Sequence, residues 1–286
     1  MKRGCVIGYD INEKGCQISY YDDSMEEPDT MMASSNNYLI PLVLGYFKDR
    51  WVFGKEAKRL AVVGEDCTET DLYGKAKRRE KVSLAGKTYD AVWLLAKYIS
   101  LTLQDFENIQ YLTFTTPETD VDMAKMLKGI GQHIGVDKEI INVQDYKESF
   151  CQYMIFQPKE LWQYESALFY CDEDRIKAYM LRRLRVDASH GMNSFVTVDE
   201  VANAQRKELE ALYPIMNKEK SPDESFKSMI ENVFEKKVIS SVYLTGEGFE
   251  KNWYPNSLRV LCNGRRAFMG NNLYSKGACY KSIRKC

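Results

Sequence analysis

The stretch CVIGYDINEKGCQISYYD, residues 5–22, decides how the chain is read. Two runs rich in apolar and β-forming residues flank Asn12-Glu13-Lys14-Gly15, a set of turn formers, so the segment predicts a β-hairpin. An aspartate, Asp10, stands where the first strand ends. Ligands of α/β domains bind beyond the carboxyl ends of strands, which makes Asp10 the first candidate for chemistry.

Composition narrows the setting. With 286 residues the chain can form two modest domains and bury a sizeable core. Forty Lys and Arg against 41 Asp and Glu leave no bulk charge to attract nucleic acid or an anionic membrane, so neither is an expected partner. The basic run Lys75, Lys77, Arg78, Arg79 and Lys81 reads as a solvated surface loop. The longest apolar stretch, 38–47, is broken by Pro41 and falls far short of the roughly 20 residues of a membrane span. The apolar run behind the N-terminal Lys-Arg pair is too short for a signal peptide, so the expected location is the cytoplasm. Eight scattered cysteines, with no CxxC pair and only His133 and His190 beside them, argue against a zinc site or a disulfide framework. Most are expected to be small buried hydrophobes. Two histidines also leave little room for a Ser-His or Cys-His nucleophile.

Along the chain, an acidic loop at 22–37 is followed by a second strand pair, 38–46 and 51–53, around Lys48-Asp49-Arg50. A helix begins near Gly54, and Val92, Leu95, Ile99, Leu103 and Phe106 mark the apolar face of another at 91–106. A strand at 109–115 leads to Thr116-Pro117, read as cap and first position of a helix that buries Met123, Met126, Leu127, Ile130 and Ile134. A strand at 140–143 and a helix at 148–154 follow. The second half repeats the plan: a hairpin of 167–171 and 176–181, a helix opened by a Thr197/Glu200 capping box, a helix from Ser221-Pro222, a strand at 238–244, the turn Thr245-Gly246-Glu247-Gly248 and a final helix at 271–280. The repetition predicts a duplicated α/β architecture, with lobe I at 1–160 rejoined by 271–286 and lobe II at 161–270. Asp10, Asp172 and the 245–248 turn then face a cleft between the lobes. Gly86-Lys87-Thr88 ends like a P-loop, but position 81 is lysine rather than glycine, and the segment reads as a turn.

The hairpin with its strand-end aspartate, FGKEAKR at 53–59, the strand-Pro-helix step, the second hairpin and VYLTGEGF at 242–249 together resemble the ATPase lobe pair of actin and the DnaK-type heat-shock chaperones. In those chaperones similar segments read GIDLG, VGDAAKR and LVGG. ISYY at 18–21, KESF at 147–150, the SSVYL.G.GF pattern at 240–249 and RRAFMGNNLYSKGACY at 265–280 are similar to a family of uncharacterised bacterial proteins, chiefly of Firmicutes, known as a domain of unknown function. The first resemblance implies an actin-like ATPase fold of two related ribonuclease-H-like lobes around a central cleft, with ATP or ADP and magnesium as the implied cofactors.

Carried over residue by residue, the resemblance makes Asp10 the organiser of magnesium and water and Asp145 the orienter of the attacking water. Asp145 equally suits the N-terminal carboxylate of its own helix. Asn12 and Lys14 fall in the first phosphate turn, where Lys14 is either a phosphate contact or an ordinary exposed turn residue. Gly246 and Gly248 match the turn beneath the adenosine ring, and glycine there also suits any tight strand-to-helix turn. Asp172 joins Asp10 as a metal candidate. Both phosphate turns depart from the family pattern. Asn12 and Glu13 replace small residues in the first, and Asp172-Glu173-Asp174 replaces glycines in the second, where like charge opposes a triphosphate.

The expectation is a degenerate member of the superfamily that hydrolyses no ATP and acts as a scaffold through an unidentified protein partner. An active Mg-ATP-dependent ATPase and an actin-like filament protein are the alternatives. No β-rich substrate-binding module follows the last helix before Cys286, so a full chaperone is not expected.

Overall fold

A computed structural model describes residues 4–35, 37–64, 67–173, 175–188, 191–205 and 221–283, with backbone alone at 185–188 and 191–194. By its internal contacts the chain divides into unit 1, Met1–Gln152 with Tyr274–Cys286, and unit 2, Tyr153–Leu273.

In unit 1, β1 (Cys5–Ile11) and β2 (Gly15–Tyr21) form the predicted hairpin. They are followed by β3 (Asp29–Thr30), β4 (Ile40–Pro41), β5 (Leu44–Phe47), β6 (Arg50–Phe53), α1 (Gly54–Val63), β7 (Thr68–Glu69), α2 (Leu72–Lys77), β8 (Lys81–Leu84), β9 (Lys87–Asp90) and α3 (Ala91–Thr102). The unit continues through β10 (Ile109–Thr116), α4 (Val121–His133), β11 (Ile141–Asp145) and α5 (Tyr146–Ile155), which crosses the unit boundary. The main sheet runs β11-β10-β1-β2-β3, with β4 also on β2. Strands β11, β10 and β1 are parallel, while β2 is antiparallel to β1 and to β3.

Strand alternation gives this sheet two chemically different faces. Ile7, Tyr9, Ile11, Ile18, Leu112 and Phe114 point into the main hydrophobic core, where Leu94, Leu95, Tyr98 and Ile99 of α3 and Met126, Leu127 and Ile130 of α4 meet them. The opposite face carries Gly8, Ser19, Thr113, Thr115 and Gln144, and α5 and the last helix, α8 (Leu273–Ile283), lie on it. Small residues permit that close approach: a Cβ on Gly8 would sit 2.1 Å from the Ser275 carbonyl oxygen, and one on Gly277 2.0 Å from that of Ser149. Hydroxyl pairs fill the layer, Ser19 with Ser275 at 2.8 Å, Thr113 with Ser282 at 2.7 Å and Thr115 with Ser149 at 2.7 Å, so these buried hydroxyls are paired.

Unit 2 holds β12 (Glu165–Cys171), β13 (Arg175–Ala188), β14 (Gly191–Gln205), α6 (Pro222–Phe234), β15 (Ile239–Thr245), α7 (Pro255–Leu261) and β16 (Arg266–Met269). Its sheet runs β14-β13-β12-β15-β16. Strands β12, β13 and β14 form an antiparallel meander, and β12, β15 and β16 are parallel. Taken in chain order, the first strand of each unit is central. The second and third extend the sheet on one side of it through antiparallel pairs, and the last two, β10 and β11 or β15 and β16, lie parallel on the other; β4, on β2, is an extra strand of unit 1. The chain is therefore mixed α/β, with the same strand order in both main sheets and eight α-helices among the described residues.

Several elements differ from their sequence-based expectation. Residues 191–205 form strand β14, paired with β13 over its whole length, rather than a helix behind a Thr197/Glu200 capping box. The helix expected at Thr116-Pro117 starts at Val121, because the Asp120 side chain accepts the Met123 N–H at 2.7 Å while the Thr116 hydroxyl donates to the Glu118 carbonyl. The strand expected at 38–46 is two pieces, β4 and β5, separated by Leu42-Val43; its hairpin with β6 turns through Lys48 and Asp49, both at positive φ. The basic run at 75–81 is no free loop: it spans the end of α2 and the start of β8, with Lys75 paired to Glu69 and Arg78 to Asp71 and Glu80. Three of the described cysteines, Cys16, Cys171 and Cys279, are buried, whereas Cys262 is exposed. His190, Asp174 and Cys286 lie outside the described residues.

Candidate functional site

Asp10 occupies the carboxyl end of β1 on the sheet face covered by α5 and α8, in register with Thr115 of β10 and Gln17 of β2. It is a buried carboxyl, 4% exposed. Its partner is Tyr146, the first residue of α5, whose hydroxyl donates to Asp10 Oδ1 at 2.8 Å. The Tyr146 ring is fixed by stacking on Tyr274, with centroids 3.7 Å apart and planes 6° from parallel. Asn12 Nδ2 in turn donates to the Tyr146 hydroxyl at 3.1 Å, so Asn12, Tyr146 and Asp10 form one hydrogen-bonded chain. Burial disfavours the charged form and outweighs the tyrosine's hydrogen bond, which raises the Asp10 pKa to about 7.

The rest of the first turn is closed on itself. Asn12 Oδ1 accepts the backbone N–H of Lys14 at 2.9 Å and of Gly15 at 3.2 Å, an Asx-type turn. The Lys14 carbonyl accepts the N–H of Leu42, tying the turn to the chain beyond β4. Asp145, at the end of β11, accepts the Glu148 N–H at 2.8 Å and so serves as an N-terminal carboxylate of α5.

In unit 2 the corresponding turn follows β12. Asp172 Oδ1 accepts the Arg175 N–H at 2.8 Å, and the Asp172 N–H donates to the Arg175 carbonyl at 3.1 Å. The turn after β15 packs directly on the end of β12. Gly246, at φ +92°, has no room for a Cβ, which would stand 2.2 Å from the Cys171 carbonyl oxygen; at Gly248 the Cys171 sulfur would be 2.3 Å away. The Gly248 carbonyl accepts the Trp253 indole N–H at 2.6 Å. Both glycines are thus required by the chain's own packing.

A magnesium-bound triphosphate needs several backbone N–H groups aimed at its oxygens and an ionised carboxylate for the metal. Here the N–H groups of Lys14, Gly15 and Arg175 already meet side-chain oxygens of their own turns, and Asp10 is buried and about half protonated near neutrality. This donor set does not fit that ligand. Among the described residues no three His, Cys, Asp or Glu side chains gather as a metal site. No helix among them is long and apolar enough to cross a membrane.

Sequence patterns did not point to Tyr146 or Tyr274. Tyr146 reaches Asp10 across 136 residues of chain, and such a pairing leaves no local signature.

Comparison with known proteins places the chain. No curated protein matches it. A family model described as the C-terminal part of a family of unknown function, DUF5716, matches residues 27–286, from just after the opening hairpin to the last residue. The match takes in KESF at 147–150 and the block at 265–280, and the chain belongs to the DUF5716 C-terminal family of unknown function.

Proposed function

We propose that the chain is a degenerate member of the actin-like ATPase superfamily, built from two ribonuclease-H-like units, that binds nucleotide weakly or not at all and acts as a scaffold for a protein partner. The shared strand order of the two main sheets supports the fold reading. The observation that carries the functional reading is the self-satisfied state of both hairpin turns: Asn12 holds the N–H groups of Lys14 and Gly15, and Asp172 holds that of Arg175. A phosphate would have to displace those side-chain oxygens to reach these three N–H groups. Isothermal calorimetry with Mg-ATP and Mg-ADP, paired with a phosphate-release assay, tests it. Weak or absent binding without turnover is expected. Steady phosphate release that disappears in Asp10→Ala overturns it.

One observation favours a second reading, an active ATPase that uses Asp10 and Asp145. A carboxyl with a pKa of about 7 is suited to take up a proton near neutral pH. Turnover that depends on both carboxylates is the signature of that reading, and the same phosphate-release assay distinguishes the two.

A further inference from the structure

The opposite, apolar face of the unit 1 sheet carries a second feature. Where the outer flanks of α3 and α4 meet, a cavity of about 360 Å³ opens. Its floor is Ala96, Met126 and Ile130, and one wall is Trp93, 38% exposed. That indole is held rigidly, stacked on Tyr89 with centroids 5.5 Å apart and planes 11° from parallel, and met edge-on by Trp51 at 5.8 Å. Arg79, Lys125 and His133 stand at the rim.

Within the basic run, Lys75 and Arg78 are tied to acidic neighbours, but the guanidinium of Arg79, set apart by a left-handed backbone at φ +57°, has no hydrogen bond or ion pair among the described residues, and neither has the ammonium of Lys125 on α4. Asp90, the acidic group of the lining, already accepts the N–H groups of Val92 and Trp93 at the start of α3. The cavity therefore presents two unpaired cations beside an aromatic plane.

Gly131 of α4 is explained by packing, since a Cβ there would meet Ile141 at 2.6 Å. Gly129, two residues earlier and in the cavity wall, has nothing within 4 Å of where its Cβ would be. A glycine inside a helix costs stability relative to alanine, and no neighbour in the fold requires this one. What it leaves is open space in a lining that also holds the indole.

We propose that this cavity binds a small planar anion, an aromatic or heteroaromatic ring bearing a carboxylate, sulfonate or phosphate. The ring lies over Gly129 against Trp93, and the charged group faces Arg79 and Lys125. Anilinonaphthalene sulfonate and its uncharged analogue phenyl naphthylamine are suitable probes, followed by probe fluorescence and by the Trp93 indole N–H resonance, assigned with Trp93→Phe. The sulfonate is expected to bind about fivefold tighter than the neutral probe and to shift the Trp93 resonance. The Arg79→Gln/Lys125→Gln double variant should erase the difference between the probes. Gly129→Leu should abolish the shift, whereas Gly129→Ala should fold at least as well as the parent. Equal binding of the two probes, a Trp93 resonance unmoved at saturation, or binding unchanged in the double variant overturns the proposal.

Discussion

Replacing Asp10 with asparagine should reverse sign with pH, and the size of the reversal follows from burial. The Asp10 carboxyl titrates at 3.8 when unfolded and at about 7 in the fold, where desolvation outweighs the single hydrogen bond from Tyr146. Below pH 3.8 both states hold the proton and the native state carries no penalty. Between the two pKa values the fold retains a proton that the unfolded chain has released, so stability falls as pH rises. It stops falling once Asp10 ionises in the fold, above about 7. At about 1.4 kcal/mol per unit the full loss is roughly 4 kcal/mol, of which about 3 kcal/mol lies between pH 5 and pH 8.5. Asparagine cannot ionise, keeps an acceptor for Tyr146, and exchanges one oxygen for a buried amide donor at a cost of about 1–3 kcal/mol. The variant should therefore be less stable than the parent near pH 4 and more stable near pH 8.5. Urea unfolding followed by tryptophan fluorescence at intervals across that range measures the difference directly. Stability curves for parent and variant that run parallel from pH 5 to pH 8.5 would refute the assignment of a desolvated, proton-retaining carboxyl to this position.

Three further outcomes are expected. Tyr146→Phe removes the donor to Asp10 and the acceptor for Asn12, so it should cost about 1–2 kcal/mol and move the midpoint of the parent's pH dependence upward; a midpoint that moves down would contradict the hydrogen-bond assignment. Gly277→Ala places a methyl 2.0 Å from the Ser149 backbone oxygen, and about 2–3 kcal/mol of destabilisation should appear as a lower urea midpoint with an unchanged slope. Asp223, buried at the start of α6, is pushed up by desolvation. The Ser257 hydroxyl and the N–H groups of Asn256 and Ser257 outweigh that and hold its pKa below 3.8. Its contribution is present above the unfolded pKa and lost as pH falls through the folded one, so Asp223→Ala should cost about 2–3 kcal/mol at pH 7 and less at pH 3.

Local chemistry determined which parts of this fold could be read in advance. The β1–β2 hairpin was legible because its turn formers interrupt two β-forming runs, and α6 because Ser221-Pro222 supplies both a cap and a first-turn proline. Strand β14 was not, because Thr197 and Glu200 copy a capping box inside a segment whose Phe195, Val196, Thr197 and Val198 favour a strand. There the pairing with β13 prevails over the local signal. The start of α4 slipped for a similar reason: Pro117 suits a first helical turn, but the Thr116 hydroxyl bonds the Glu118 carbonyl and delays the helix until Asp120 can cap it. At the candidate site, Asp10 was visible as a strand-end carboxyl. The phenol that holds it was not, since the Asp10–Tyr146 and Tyr146–Tyr274 contacts join segments far apart in the chain and are set only by how α5 and α8 lie on the sheet.

The return of α8 to the sheet of unit 1 also sets an order for synthesis. Unit 2 is one continuous segment, Tyr153–Leu273, and a ribosome has delivered all of it before it delivers the helix that covers Gly8, Ser19 and Thr113. Through the whole translation of unit 2, the hydroxyl-lined face of the earlier sheet waits without Ser275 and Ser282, and Tyr146 waits without the ring on which it stacks. The first unit to be started is the last to be closed, so a nascent chain halted just after Leu273 carries the whole of the second unit and an open first one.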